Sequence, residues 1–269
     1  MSIWRLSVKV GTAVLACVLG GLLAAPVPAQ TAISVDEFRL LPLRVHLLQA
    51  KHERSLHTDL TKSDVRRVLG KINGIWKQAG LQFFEESILV EEAAGQELYA
   101  QLGGDRLEGL PRLVRPRASR SPEMFHIYFI GEMGPNGVCF DRSWELLFVK
   151  EAARLRPVRG GIDEPLPRVC AHEMGHALTL EHRQDRVNLM ASGTTGTSLN
   201  EVEIKAARKC AEERPWHLTP SRALTRADEM IRDQKKDAAR SLYTCLANLP
   251  GGAVAQAARE VLGKLQDEG

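Results

Sequence analysis

Apolar residues recur along this chain with two different periods. In "TKSDVRRVLGKINGIWKQAG" (61–80), Val65, Val68, Leu69, Ile72, Ile75, Trp76 and Ala79 fall three or four apart, which lines them up on one helix stripe. Thr61 with Asp64 forms a capping box at its start, and Gly80 suits its end. "EFRLLPLRVHLLQ" (37–49) alternates instead at Leu43, Val45 and Leu47, the period of a strand. "LQFFEESILVE" (81–91) and "WELLFVK" (144–150) are also extended in character. "MFHIYFI" (124–130) is apolar on both faces, as a central strand requires, and "GPNG" (134–137) is a turn. Further on, "SLNEVEIKAARKCAEER" (198–214) predicts a helix opened by a Ser198–Glu201 capping box. Residues 220–252 carry Ala227, Ile231, Ala238, Leu242 and Cys245 at helical spacing, and 253–265 predict a last short helix. Strands and helices come first and helices alone come last. That order predicts an α+β core with a small C-terminal helical appendage, divided near Pro215–Thr219.

The N-terminus follows neither period. Arg5 and Lys9 precede the apolar run "VGTAVLACVLGGLLAA" (10–25), and "VPAQ" (27–30) offers small residues for cleavage after Ala29. This is the pattern of a signal peptide over 1–29. The run is too short for a comfortable membrane span, so the expectation is a secreted or periplasmic protein with no stable span after cleavage. Cys17, in "VLAC", leaves lipid anchoring as an alternative. Cleavage leaves Cys139, Cys170, Cys210 and Cys245. In an oxidising compartment four cysteines suggest two disulfides in one of three pairings, with buried thiols the alternative. A Cys210–Cys245 bridge would pin the appendage to the last core helix, and Cys139 and Cys170 would then pair or stay reduced.

Composition narrows the function classes. At 44% hydrophobic and 26% charged over 269 residues, the chain can bury one sizeable core. The net charge is +3, and Arg5 and Lys9 account for two of those positive charges, so nothing argues for nucleic acid. The basic run "RLVRPRASR" (112–120) is the kind usually found in a solvated loop.

The chemistry concentrates in "CAHEMGHALTLEH" (170–182). Four residues along a helix is about 40° in projection and about 6 Å along the axis, so His172 and His176 can point two imidazoles at one ion. Glu173, at the rim of that face, can hold a water on the ion without ligating it. Imidazole suits zinc, and three protein ligands plus water describe a catalytic site. On a continuous helix His182 would sit about 240° round from His176 and about 9 Å further on. It can be the third ligand only if the helix breaks after Ala177 and the chain folds back. A downstream glutamate, Glu201 or Glu203, is the alternative third ligand. Cys170 is two residues before His172 and points to a different face. Of the other histidines, His126 in its apolar strand reads as a core residue, and His46, His52, His57 and His217 read as surface residues.

"HEMGHALTLEH" with "NLM" (188–190) resembles the metzincin zinc metallopeptidases, whose pattern is HExxHxxGxxH followed by a methionine turn. The resemblance is strong over 165–192, looser over 37–213, and does not reach 219–269. It implies His172, His176 and His182 as zinc ligands, Glu173 as the catalytic glutamate, and Met190 beneath the metal. It also implies a zinc-dependent endopeptidase, secreted if the signal pattern over 1–29 holds, with a catalytic domain over 30–215; the helical extension over 219–269 rests on periodicity alone. Its protein or peptide substrate would lie extended along an edge strand, for which "WELLFVK" is the candidate. Two positions depart from the pattern. Thr179 stands where the family usually has glycine, and Ser192 stands where some members have a zinc-assisting tyrosine. From another class, a non-catalytic exported binding protein could keep such a zinc fold, although the intact Glu173 argues against it.

Overall fold

The computed structural model describes residues 33–102, 106–141 and 146–267. The signal segment, Cys17 and Trp144 lie outside them. The described chain is mixed α+β. It runs through β1 (Arg39–Gln49), α1 (Lys62–Trp76), β2 (Leu81–Glu92), two short helices α2 (Gln96–Ala100) and α3 (Arg106–Gly109), β3 (Phe125–Ile130), β4 (Gly137–Asp141) and β5 (Leu146–Lys150). Helices α4 (Pro165–Ala177), α5 (Glu201–Glu212), α6 (Pro220–Arg232), α7 (Lys236–Ala247) and α8 (Gly252–Asp267) follow. No helix among the described residues is long and apolar enough to cross a membrane.

The strands form one sheet in the order β2-β1-β3-β5-β4. All neighbours are parallel except β4, which pairs antiparallel with β5. Strand β3 is central and buried along its whole length, because both of its faces carry apolar or aromatic side chains. Strand β5 contains most of "WELLFVK" but lies between β3 and β4. The expectation that this segment forms the edge is therefore corrected: the outer strand is β4, whose antiparallel return after "GPNG" covers β5.

The pleat sends alternate residues to opposite faces. Odd positions of β1 (Leu41, Leu43, Val45, Leu47) join Phe83, Phe125, Ile127 and Phe129 in the main core, under α1 and α4. Helix α1 enters this core with the predicted stripe, capped by Thr61 and Asp64 as its sequence implies. The opposite face is covered in two places. At one end Phe38, Leu40 and Phe84 share a cluster with Leu242, Tyr243 and Leu246 of α7 and with residues of α6 and α8. At the other end Leu48, Tyr128, Ile130 and Phe148 pack with Tyr99, Leu110 and Val114. The C-terminal helices thus lie against the back of β1 and β2. The chain breaks between α6 and α7, at Asp233–Lys235, where Gln234 has φ 61°, and Thr219 caps α6.

The cysteines do not form the expected bridges. No disulfide joins Cys139, Cys170, Cys210 and Cys245. Cys210 belongs to the main core and Cys245 to the cluster on the other face, so the sheet stands between them.

His46 is also corrected, from surface to core. As an even position of β1 it faces the back of the sheet, where it is fully buried and stacked 3.9 Å from the Tyr128 ring. Its Nδ1 meets Glu91, its Nε2 lies 2.8 Å from His126 Nδ1, and His126 Nε2 donates to the Ser121 carbonyl at 2.8 Å. His126 is a core histidine, as expected. Burial pushes its pKa down to about 4, and the neighbouring His46, Arg115 and Arg44 add to the shift.

His126 therefore stays neutral in the folded chain, whereas an unfolded histidine protonates near about 6.5. The folded pKa is the lower one, so this stabilisation is fully present above about 6.5 and is lost as pH falls toward 4. Urea denaturation across that window should show wild type losing stability more steeply than His126→Phe. Equal slopes would contradict the assignment.

Candidate metal centre

Helix α4 starts with Pro165 in its first turn, where a missing N–H costs nothing. It buries nearly every side chain through Ala177. His172 is buried, His176 partly buried and His182 exposed. Their ligand atoms all lie within 4.8 Å of one another, and these three residues could hold a metal ion. His182 Nε2 is 3.3 Å from His172 Nε2 and 3.1 Å from His176 Nε2. Ligand nitrogens about 2.0–2.1 Å from a tetrahedral ion are about 3.4 Å apart, so the spacing fits.

The backbone fixes which nitrogen of each ring faces the cluster. His172 Nδ1 donates to the Leu189 carbonyl at 2.8 Å, and His176 Nδ1 donates to the Leu180 carbonyl at 2.9 Å. A carbonyl only accepts, so each neutral ring carries its proton on Nδ1 and its lone pair on Nε2. Burial pushes the His172 pKa down to about 3, and Arg168, His176 and His182 add to the shift against the Leu189 bond. The ring is thus neutral and ready to ligate at ordinary pH.

His182 reaches the cluster because α4 ends abruptly. The Thr179 N–H donates to His176 O at 3.0 Å, and the Leu180 N–H donates to Gly175 O at 2.8 Å. This pair of bonds is a Schellman cap, whose turning residue adopts a left-handed conformation and is usually glycine. Here it is Thr179, at φ 70°. The turn presents the Leu180 carbonyl to His176 and sends the chain back toward the helix. Arg183 N–H then donates to Met190 O at 3.0 Å. Met190 is fully buried, under α4. A Cβ on Gly175 would meet its sulfur at 2.5 Å, so any larger residue there would have to displace the methionine.

Glu203 is not brought into the cluster, and neither is Glu201. The predicted capping box is corrected by two residues. Ser198 still bridges to Asn188 as extended chain, so α5 starts later, with Asn200 as N-cap and Glu203 as its partner. The buried Glu203 carboxylate accepts from Arg183 Nε at 2.6 Å, Asn188 Nδ2 at 2.8 Å and the Asn200 N–H at 2.9 Å. Asn188 in turn accepts the Met190 N–H at 2.7 Å. Glu203 thus holds both the residue after His182 and the methionine turn. The sequence reading missed this role, although an acidic residue three past an N-cap was its available signal.

Glu173 borders the same cavity as His172 and His182, a space of about 240 Å³ also lined by Asn136, Gly137 and Ser192. Burial pushes its carboxyl up to about 7, against the Cys139 N–H it accepts and the charge of Arg168. A Cβ on Gly137 would lie 2.9 Å from Glu173 Oε1, so β4 passes directly over this side chain. Cys170 is a buried thiol, pushed well above its ordinary pKa by burial, and is outside the cluster. His52, His57 and His217 are also outside it. No known family model matches this sequence, and no curated protein matches it.

A left-handed threonine stores strain on the order of 1–3 kcal/mol. Thr179→Gly relieves it and costs about 0.5–1 kcal/mol in chain entropy. Urea denaturation of the metal-free protein should find stability unchanged or raised, and a clear loss would contradict the turn. His182→Ala should lower affinity for a divalent ion steeply, whereas Glu201→Gln should leave it unchanged. The reverse order would move the third ligand to the glutamate.

Proposed function

We propose that this protein is an exported, zinc-dependent endopeptidase of metzincin-like design. One observation carries the reading: three imidazole nitrogens converge beside a cavity that His172 and His182 line, with the buried Glu173 carboxyl next to them and outside their cluster. Their nitrogen donors and small spacing suit zinc, and one exposed ligand leaves the site reachable by substrate. His172, His176 and His182 would hold a zinc ion, which would supply Lewis acidity toward a water and a carbonyl.

The chain's own groups supply the rest. Glu173 takes a proton from the attacking water and passes it to the leaving amine. Its displaced pKa, near 7 in the chain without metal, suits a group that must both accept and release a proton. Strand β4 is the outer strand beside the cavity, and an extended peptide adding to it would gain main-chain hydrogen bonds. Ser192 borders the cavity where some metzincins have tyrosine, so an aliphatic hydroxyl stands where those members offer an aromatic one. The N-terminal segment supports an extracytoplasmic location.

Glu173→Ala should bind zinc with unchanged stoichiometry and lose at least ~10²-fold in kcat, the scale for losing a general base. Digestion of an unbiased peptide library by the zinc-loaded pair measures this. Equal turnover by both proteins would sink the mechanism, and no turnover by wild type would favour a binding role.

A further inference from the structure

Arg168 lies one turn before His172 on α4. It is only 1% exposed, and its guanidinium is committed on two of its three nitrogens. Nε donates to Gly196 O at 3.1 Å, and Nη2 donates to Leu189 O at 2.6 Å and to Ala191 O. These bonds fasten the methionine turn to the site helix, and Leu189 O is the same carbonyl that orients His172. They also fix the plane of the guanidinium, so it cannot swing away.

The third nitrogen, Nη1, has no hydrogen-bond partner among the described residues and is not sealed from solvent. The side chain lines the cavity shared by His172, Glu173 and His182. A buried cation is normally neutralised by an anion in contact. All three acceptors on Arg168 are neutral carbonyls, and Glu173 acts on it only through space. Among the described residues, this positive charge in the cavity wall thus lacks a contacting counter-ion, with two N–H donors still to be used.

We propose that Arg168 is a specificity-determining residue, whose Nη1 receives a carboxylate of the substrate, so that the peptides cleaved carry aspartate or glutamate next to the scissile bond. This rests on the peptidase reading above. A carboxylate brings the single charge that the wall lacks. Its bond to guanidinium is charge-assisted on both sides, in a class roughly twice as strong as bonds between neutral groups.

The zinc-loaded wild-type chain would be given a random-sequence peptide library, and then one cleaved peptide alongside its Glu→Gln twin. The expected result is Asp or Glu enriched on one side of the cut bond. The Gln twin should lose ~10-fold or more in kcat/KM, mainly through KM, the scale of one charged hydrogen bond. Arg168→Met, at whatever residual rate its loosened loop allows, should cleave both twins equally. Cleavage without acidic enrichment, or a preference that survives in Arg168→Met, overturns the proposal. The comparison of twins on wild type stands even if that variant does not fold. If wild type cleaves nothing, the peptidase reading fails, and the anion site is judged by melting temperature with N-acetyl-glutamate against N-acetyl-glutamine. A rise with the carboxylate alone upholds it, and no difference overturns it.

Discussion

Everything at the centre depends on ending one helix within three residues of His176. Two imidazoles four apart come free with any α-helix, but the third must arrive from a chain running back against it. Thr179 accomplishes that reversal at φ 70°, in a conformation that a β-branched residue adopts only under strain. Two backbone bonds close the turn, and the carbonyl it exposes orients His176. Turn and ligand geometry are therefore one feature. A helix continued past Ala177 would lose both the His176 tautomer and the approach of His182.

Strain of that kind persists only where surrounding contacts over-determine it, and here they come from both sides in sequence. Arg168, before the ligands, donates to three carbonyls of the returning loop. Glu203, after them, accepts from Arg183 and Asn188. Met190 fills the space that Gly175 leaves under the helix. The sheet supplies the platform: α4 packs into the main core beneath β3 and β5, and β4 crosses above Glu173. The loop is thus held by polar bonds at its ends and an apolar plug in its middle.

Much of this was legible in the sequence, because periodic segments announce themselves. The α1 stripe and its Thr61 cap, the buried β3 and the four-residue spacing of His172 and His176 each follow from local pattern. The sequence singled out Thr179 at the bend but left its torsion open, and the positive φ came from the fold. What was hidden depends on long-range placement. Whether "WELLFVK" is an edge strand depends on where β4 returns, and its own residues do not encode that. His46 looked like a surface residue because its partners, Glu91, His126 and Tyr128, are far away in sequence. Arg168 and Glu203 looked like ordinary helix charges until the loop between them was folded onto both. The four cysteines count as disulfides by arithmetic alone, but the sheet separates Cys210 from Cys245.

On the function proposed above, His172, His176 and His182 together hold one zinc ion with a position left open. X-ray absorption at the zinc edge of the purified, zinc-loaded protein tests it most directly. The expected result is one ion per chain, with three imidazole nitrogens and one further oxygen at about 2.0–2.1 Å. A sulfur ligand, or a first shell with only two imidazoles and added carboxylate oxygen, would contradict it.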